Sequence, residues 1–400
     1  MDATSYRRCL LGNYPVPQIA LVRGEGSRVW DDQGNEYLDM GAGIAVSALG
    51  HAHPKWVSAV SEQAATLAHC TNLYAISPQA ELAERLVAKA GPGKMLFCNS
   101  GAEANETLLK LSRLHGRRKS GEEGKVFRVV CAEGSFHGRT FGGMSATGQE
   151  KIRKGFGPLV DGFSFARLND LEDFTSKVND ETAAILLEPI QGESGIRQAD
   201  DDFLQGLRQL CDDRGLLLML DEVQCGIGRT GDFFAFERSG IQPDAIAMAK
   251  GLGGGFPIGA AWVGEACADL FEPGSHGTTF GGGPVACKAA LAVLNVIEEE
   301  GLVSRSAELG AWFRERLDSI VADYPKIFAG TRGRGLMIGL VMNDSASTFV
   351  DGLRKQGLLT VPAGGEVVRF LPPLNVSRPD LEKATDIVGS LAADWNSNDN

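Results

Sequence analysis

The sequence predicts an α/β protein built on a doubly wound, mostly parallel sheet. Three observations carry this reading. The apolar runs 216–220 and 245–249, and the start of AAILLEPIQGESG at 183–195, are short and bounded by Gly or charge. Runs of that kind are strands buried on both faces. Helical-period segments such as 201–214 stand between them, so strand and helix alternate from 94 to 263. Glycine-bearing turns follow several of the strands, at 99–101, 134–143 and 251–256, where ligands of such sheets bind.

Bulk properties bound the function. The 400 residues suggest two or three structural units, at roughly 150 residues each. With 43% hydrophobic and 22% charged residues the chain has the composition of an ordinary globular protein. A net charge of −12 argues against nucleic acid and anionic membranes as partners. No apolar run approaches the ~18 residues of a spanning helix, and MDATSYRRCLLGNYPVP has no signal-like core. A cytoplasmic protein is expected. The eight cysteines form no CxxC pair, so free thiols in a reducing compartment are expected.

In chain order, residues 23–40 alternate around a DDQGN turn and predict a hairpin. Residues 41–54 form a Gly-rich loop. Its His51-x-His53 pair has no third ligand at a supporting spacing, so no metal is expected. Residues 55–70 and 78–90 repeat apolar side chains every three to four positions and predict helices. A strand at 94–98 then turns at Asn99-Ser100-Gly101 into a helix. Gly101 lets the backbone come close to a ligand, and the helix start offers free N–H groups, which makes a phosphate cradle. Ser100 and Glu103 are spaced as a capping box, which would account for both residues without any ligand.

A strand at 126–132 leads into GSFHGRTFGG at 134–143, where Phe136 is placed to stack on a planar ring and Arg139 to fork onto a carboxylate. The strand from 183 ends at Glu188-Pro189, with Glu193 close behind. Past 263 come a second Gly-rich loop, HGTTFGGGP at 276–284, with hydroxyls at Thr278 and Thr279, and an amphipathic helix to 299. Residues 301–400 mix helices with strands at 336–342 and 366–371 and read as a smaller α/β unit with a frayed end at 396–400.

The chemistry concentrates at two strand tips. Asp221 follows the run 216–220, and Lys250 follows 245–249. Both tips face the crevice beyond the carboxyl edge of the sheet. A carboxylate and a lysine there suit a cofactor with a basic ring nitrogen and an aldehyde, which is pyridoxal 5′-phosphate. A carboxylate ~4 Å from that nitrogen at an effective dielectric of ~20 is worth about 4 kcal/mol, roughly three pKa units of support for the protonated ring.

The stretches SGAEANE (100–106), FHGRT (136–140), EPIQGE (188–193), DEVQ with GIGRTG (221–231), AKGLGGGFP (249–257), HGTTFGG (276–282) and RGRGLMIG (332–339) together resemble the class III (subgroup II) aminotransferases. The likeness is nearest to the acetylornithine and succinylornithine branch and covers roughly residues 20 to 390. It implies a fold of type I among pyridoxal-phosphate enzymes. A large domain, 61–290, would hold a mostly parallel seven-stranded sheet covered by helices. A small α/β domain would be assembled from 1–60 and 291–400.

The resemblance also implies roles. Lys250 would be the Schiff-base partner of the cofactor and later the proton carrier. Asp221 would pair with the ring nitrogen and Gln224 with the ring hydroxyl. Phe136 and Val223 would sandwich the ring, Gly101 and Ala102 would bind the phosphate, and Glu188 would border the cofactor. Thr279 would reach the phosphate of a neighbouring subunit, with Thr278 beside it, so a homodimer with shared sites is implied. Arg139 would take the distal carboxylate and Arg369 the α-carboxylate, with Glu193 covering Arg369 when the amine donor is bound. The expected reaction moves the δ-amino group of N-acetylornithine to 2-oxoglutarate, giving N-acetylglutamate 5-semialdehyde and glutamate, as in arginine biosynthesis.

Two positions depart from the family pattern. Gly283 stands where Asn is usual, and Cys225 where Thr is common. Ile44 replaces the Tyr of the ornithine branch, which favours an acylated donor. Succinylornithine, ornithine and 4-aminobutyrate are the alternative donors, and a non-catalytic scaffold of the same fold is the alternative class. A nucleotide-dependent dehydrogenase is disfavoured, because GLGGGF at 251–256 lacks the third glycine of GxGxxG.

Overall fold

The computed structural model describes residues 3–398. Its centre is a seven-stranded sheet in the order Gly93–Cys98, Gly259–Gly264, Ala245–Met248, Leu217–Asp221, Thr182–Leu187, Arg128–Ala132, Phe163–Ala166. Only Gly259–Gly264 runs antiparallel to its neighbours. The α/β class and the mostly parallel seven-stranded sheet are as expected. Every residue of Thr182–Leu187 and Leu217–Asp221 is buried, which explains why these strands read as continuous apolar runs rather than as alternations.

The helix Gly101–Ser120 packs on this sheet. Ser100 caps it, its Oγ accepting the Glu103 N–H at 3.2 Å. Glu103 reaches back, but one residue further than a standard capping box, taking the Asn99 N–H at 2.5 Å and Asn99 Nδ2 at 2.9 Å. The helix stops at Gly121, whose φ of +71° suits only an achiral residue there. The helix Pro284–Glu299 is buried along almost its whole length and packs against Pro54–Thr66 and Ser77–Ala90.

A second sheet, in the order Phe328–Arg334, Met337–Met342, Val367–Phe370, Val361–Ala363, is antiparallel throughout. Helices Leu302–Asp323 and Ala346–Lys355 pack on it. The amino-terminal strands join the carboxy-terminal part directly, since Glu36–Asp39 pairs in parallel with Leu358–Leu359. Strands from both ends of the chain therefore share one sheet.

Several local expectations are corrected. Residues 23–40 belong to a three-stranded meander, Leu21–Glu25, Arg28–Asp31 and Glu36–Asp39, not one hairpin. The missed reversal sits at Gly26, with φ +57°. The loop 41–54 contains a helical turn, Ala42–Ala45, in which Ala42, Gly43, Ile44 and Ala45 all have positive φ. Asp39 holds that conformation: its Oδ1 accepts from the N–H groups of Gly41 and Ala42 at 3.0 and 2.8 Å. Its Oδ2 takes His51 Nε2 at 2.9 Å, so this histidine has a structural partner. The sequence does not mark strand Phe328–Arg334, because FAGTRGR holds two glycines and has no clean period. The end read as frayed carries a helix, Arg378–Asn398, and residues 399–400 lie outside the described residues. All eight cysteines are free thiols. Among the described residues no helix is long and apolar enough to cross a membrane, and no group of three metal-ligating side chains converges.

Candidate active site

The carboxyl edge of the central sheet opens into a cavity of about 400 Å³. Asp221 is the last residue of its strand, and Lys250 follows Met248 by two positions, so both reach this space. Gly101 and Ala102 bring the start of the long helix to it, and Phe136 and Val223 add an aromatic face and an aliphatic one. Arg139, Glu188, Glu193 and Gln224 complete the expected set that lines the same cavity.

The backbone is strained where the lysine sits. Lys250 has φ +38°, in the left-handed region that L-residues avoid at a cost of roughly 1–3 kcal/mol. Neighbouring Gly251 lies below the loop carrying Ala45 and Ala48. Burial pushes the Lys250 ammonium below its ordinary range, and Glu193 opposes that effect. A lysine easier to deprotonate is suited to nucleophilic and proton-transfer work.

Asp221 is fully dressed. Its Oδ2 accepts from Asn105 Nδ2 at 2.7 Å and His137 Nδ1 at 2.8 Å, and its Oδ1 accepts the Val223 N–H at 3.0 Å. Neither Asn105 nor His137 was singled out from sequence, although both stand inside stretches quoted for the resemblance, SGAEANE and FHGRT. Their signal was a polar residue at a position that had to be buried. His137 Nε2 and Asn105 Oδ1 are buried and without a hydrogen-bond partner among the described residues.

Glu188 is also buried, accepting from the Phe136 and Gly192 N–H groups at 2.9 and 3.3 Å. Burial, and after it the charge of Asp221, pushes its carboxyl well above the usual range. Glu193 goes the other way. Burial alone would raise it, but Arg369, at 2.7 Å, brings it below its ordinary value.

Three expected site residues lie off the cavity. Arg369 sits behind it on strand Val367–Phe370, with its side chain wholly buried. Thr278 is turned to its own loop and to Asn99, its Oγ1 accepting from Asn99 Nδ2 at 3.1 Å and from the Gly281 N–H at 3.2 Å. Thr279 is exposed and borders no part of the cavity.

The arrangement fits a planar, anionic, aldehyde-bearing aromatic. The first intrahelical bond at the cradle joins the Ala104 N–H to Ser100 O at 3.0 Å, so the N–H groups of Gly101 and Ala102 precede it and are free for an anion. There is no room for a side chain at Gly101: a Cβ would stand 2.6 Å from Val223 Cγ1, which brings the backbone and the aliphatic wall together. The Asp221 carboxylate at one strand tip, and Lys250 at the next, complete the donor set for a basic ring nitrogen and an aldehyde.

Fold and site together define a pyridoxal-phosphate-dependent enzyme of fold type I. The chain belongs to the family described as Aminotransferase class-III, whose sequence profile matches residues 12–391. It is 46% identical over 392 residues to the acetylornithine aminotransferase of Caldanaerobacter subterraneus subsp. tengcongensis, covering 98% of this chain and 99% of that protein. Among solved structures it is similar to the ornithine aminotransferase of Toxoplasma gondii ME49, with a TM-score of 0.95 and 30% identity, covering 99% of this chain and 95% of that one. It is also similar to the acetylornithine aminotransferase of Elizabethkingia anophelis, with a TM-score of 0.86 and 32% identity over 98% of each chain. The protein is therefore an aminotransferase.

Proposed function

We propose that this enzyme moves the δ-amino group of N-acetylornithine to 2-oxoglutarate, in the biosynthetic direction towards arginine. The observation that carries the reading is the 46% identity, over nearly both full lengths, to a protein named for that reaction. Ile44, with no phenol to offer an unacylated α-amine, agrees with it.

Bound, pyridoxal phosphate supplies an electron sink for the carbon that bears the amine. The chain's own residues do the rest. Lys250 Nζ would hold the aldehyde at rest and, once the substrate amine has taken its place, would accept the proton from the amine-bearing carbon. Asp221, oriented by Asn105 and His137, would hold a proton on the ring nitrogen. Phe136 and Val223 would confine the ring, Glu188 would line its surroundings, and Gln224 would meet the ring hydroxyl. Gly101 and Ala102 take the phosphate through their N–H groups. Arg139 forks onto a substrate carboxylate, and its guanidinium is kept in place over Phe136, 5.5 Å from the ring centre. Glu193 neutralises Arg369 while the donor is bound and leaves it to the dicarboxylate in the second half of the cycle.

The working unit in this reading is a cytoplasmic homodimer in which Thr279, with Thr278 supporting its loop, completes the phosphate site of the neighbour. Leu73, Tyr74 and Phe280 are largely exposed, at 87%, 70% and 66%, which suits a surface covered by a second copy. The division into 1–60, 61–290 and 291–400 belongs to the same reading. A panel of acetylornithine, succinylornithine, ornithine and 4-aminobutyrate with 2-oxoglutarate tests it. The highest kcat/KM for acetylornithine is expected, and a clear preference for any other donor overturns the assignment.

A further inference from the structure

Arg369 is closed off by two side chains, not one. Its Nη1 donates to Glu193 Oε1 at 2.7 Å, to Gln224 Oε1 at 2.9 Å and to the Gly192 carbonyl at 3.0 Å. Gln224 closes the ring by donating from Nε2 to Glu193 Oε1 at 3.3 Å. Glu193 and Gln224 both line the cavity, whereas Arg369 does not. The Nε and Nη2 groups of Arg369 are buried and lack a hydrogen-bond partner among the described residues. A carboxylate entering from the cavity thus meets the glutamate and the amide before it meets the guanidinium.

We propose that Gln224 is the second leaf of the gate over Arg369, and that admission of a dicarboxylate requires its amide to leave Nη1 as well as the withdrawal of Glu193. Gln224 is one residue from Val223 and three from Asp221, so its amide turns between the arginine and the ring side of the cavity. The Nε2 group is held by Glu193, so withdrawal of that glutamate frees an N–H of Gln224 for the ring hydroxyl of a bound cofactor, and the amide that turns to it takes its Oε1 off Arg369. Gly192 supplies the clearance for the closed position of the amide, on Arg369. A Cβ at that position would stand 2.2 Å from Gln224 Oε1. The inference rests on the proposed use of 2-oxoglutarate as acceptor but not on the identity of the donor.

The test is calorimetric titration of the holoenzyme with glutarate, a dicarboxylate with no keto group to react, at full cofactor occupancy judged by absorbance. Gln224→Ala removes a leaf and is expected to tighten glutarate binding about tenfold, the scale of one hydrogen bond to a charged group. Gln224→Glu puts a second carboxylate on Arg369 and is expected to weaken it about tenfold or more. A purely structural role would not give opposite signs. Should either variant lose the cofactor or fail to fold, Gly192→Ala acts on the unaltered amide by crowding it off Arg369, and tighter glutarate binding is expected again. Removing both leaves, in the Glu193→Ala, Gln224→Ala pair, should bind glutarate more tightly than Glu193→Ala alone. Equal affinity for those two proteins, or glutarate binding unmoved by Gln224→Glu and Gly192→Ala, overturns the second leaf. A holoenzyme that does not transaminate 2-oxoglutarate with any donor would instead overturn the functional reading.

Discussion

His137 Nδ1 lies 2.8 Å from Asp221 Oδ2, and the two side chains are buried together, at 0% and 5% exposure. Asp221 is at a strand tip and His137 is in the loop after Arg128–Ala132, two strands away in the sheet, so the pair joins two parts of the cavity lining. With a carboxylate as acceptor, the hydrogen is on Nδ1. The histidine thereby positions the group that governs the ring nitrogen without meeting the substrate.

Replacing His137 with Phe keeps the bulk and removes the donor. Hydrogen bonds to a charged group are worth roughly 1.5–3 kcal/mol, so kcat is expected to fall about ten- to a hundredfold. KM for both substrates should change little, because no substrate contact is lost. A pH titration of the bound cofactor's absorbance should shift in the same variant. An unaltered titration together with unaltered kcat would show that Asn105 and the Val223 N–H suffice to hold Asp221.

Lys250→Ala should abolish turnover, with residual rates at least ~10³-fold lower, since both the covalent partner and the proton carrier are lost. Borohydride reduction of the wild-type holoenzyme followed by peptide mapping should place the label on residue 250. A label elsewhere would remove the lysine from its assigned part. The strained φ of +38° makes a second expectation. Lys250→Gly should raise thermal stability in the apoenzyme, because it relieves left-handed strain at a buried position.

Much of the central sheet was legible because its strands are short, wholly buried and punctuated by glycine or charge, as at Leu217–Asp221. Their functional residues were legible for the same reason: Asp221 and Lys250 are polar side chains placed where an apolar run ends. The second sheet was harder. Phe328–Arg334 is only partly buried and holds two glycines, so neither period nor composition marks it. The turn at Ala42–Ala45 could not be read at all, because its left-handed backbone is imposed by Asp39 and not by local preference. His137 and Asn105 escaped notice because their importance is a property of contact. Nothing in the order of residues says that two side chains 32 positions apart will meet on one carboxylate oxygen.

Gly101 combines two demands, free amides for an anion and clearance for Val223. Gly101→Ala would put a methyl 2.6 Å from Val223 Cγ1, so the wall or the helix start must move. Overpacking of this kind costs about 1–3 kcal/mol, and here it falls on the cofactor cradle. Cofactor affinity is expected to drop about ten- to a hundredfold on that scale. Equilibrium dialysis of pyridoxal phosphate against the apoenzyme measures it, and affinity within twofold of wild type would show that the cradle tolerates the shift.

Glu222 adjoins Asp221 in sequence but faces away from the cavity, accepting the Ala235 and Phe236 N–H groups at 3.0 Å each and the Cys225 thiol at 3.3 Å. Burial pushes its carboxyl up to about 7, from an ordinary value of 4.5, and the two backbone donors oppose the rise without cancelling it. The native state therefore keeps a proton that the unfolded chain has already lost between those two values. Its contribution to stability is complete below pH ~4.5, declines as pH climbs towards ~7 and is gone above that. The full swing for one such group is about 3 kcal/mol. Glu222→Gln is neutral throughout, and its carbonyl can still accept from the turn at Ala235–Ser239. Its melting temperature relative to wild type should be similar or slightly lower at pH 5 and higher at pH 8. Thermal melts of both proteins at the two pH values measure that difference. A variant that gains nothing on going from pH 5 to pH 8 would mean that the backbone donors keep Glu222 ionised throughout, and that any loss of stability between those pH values belongs to other groups.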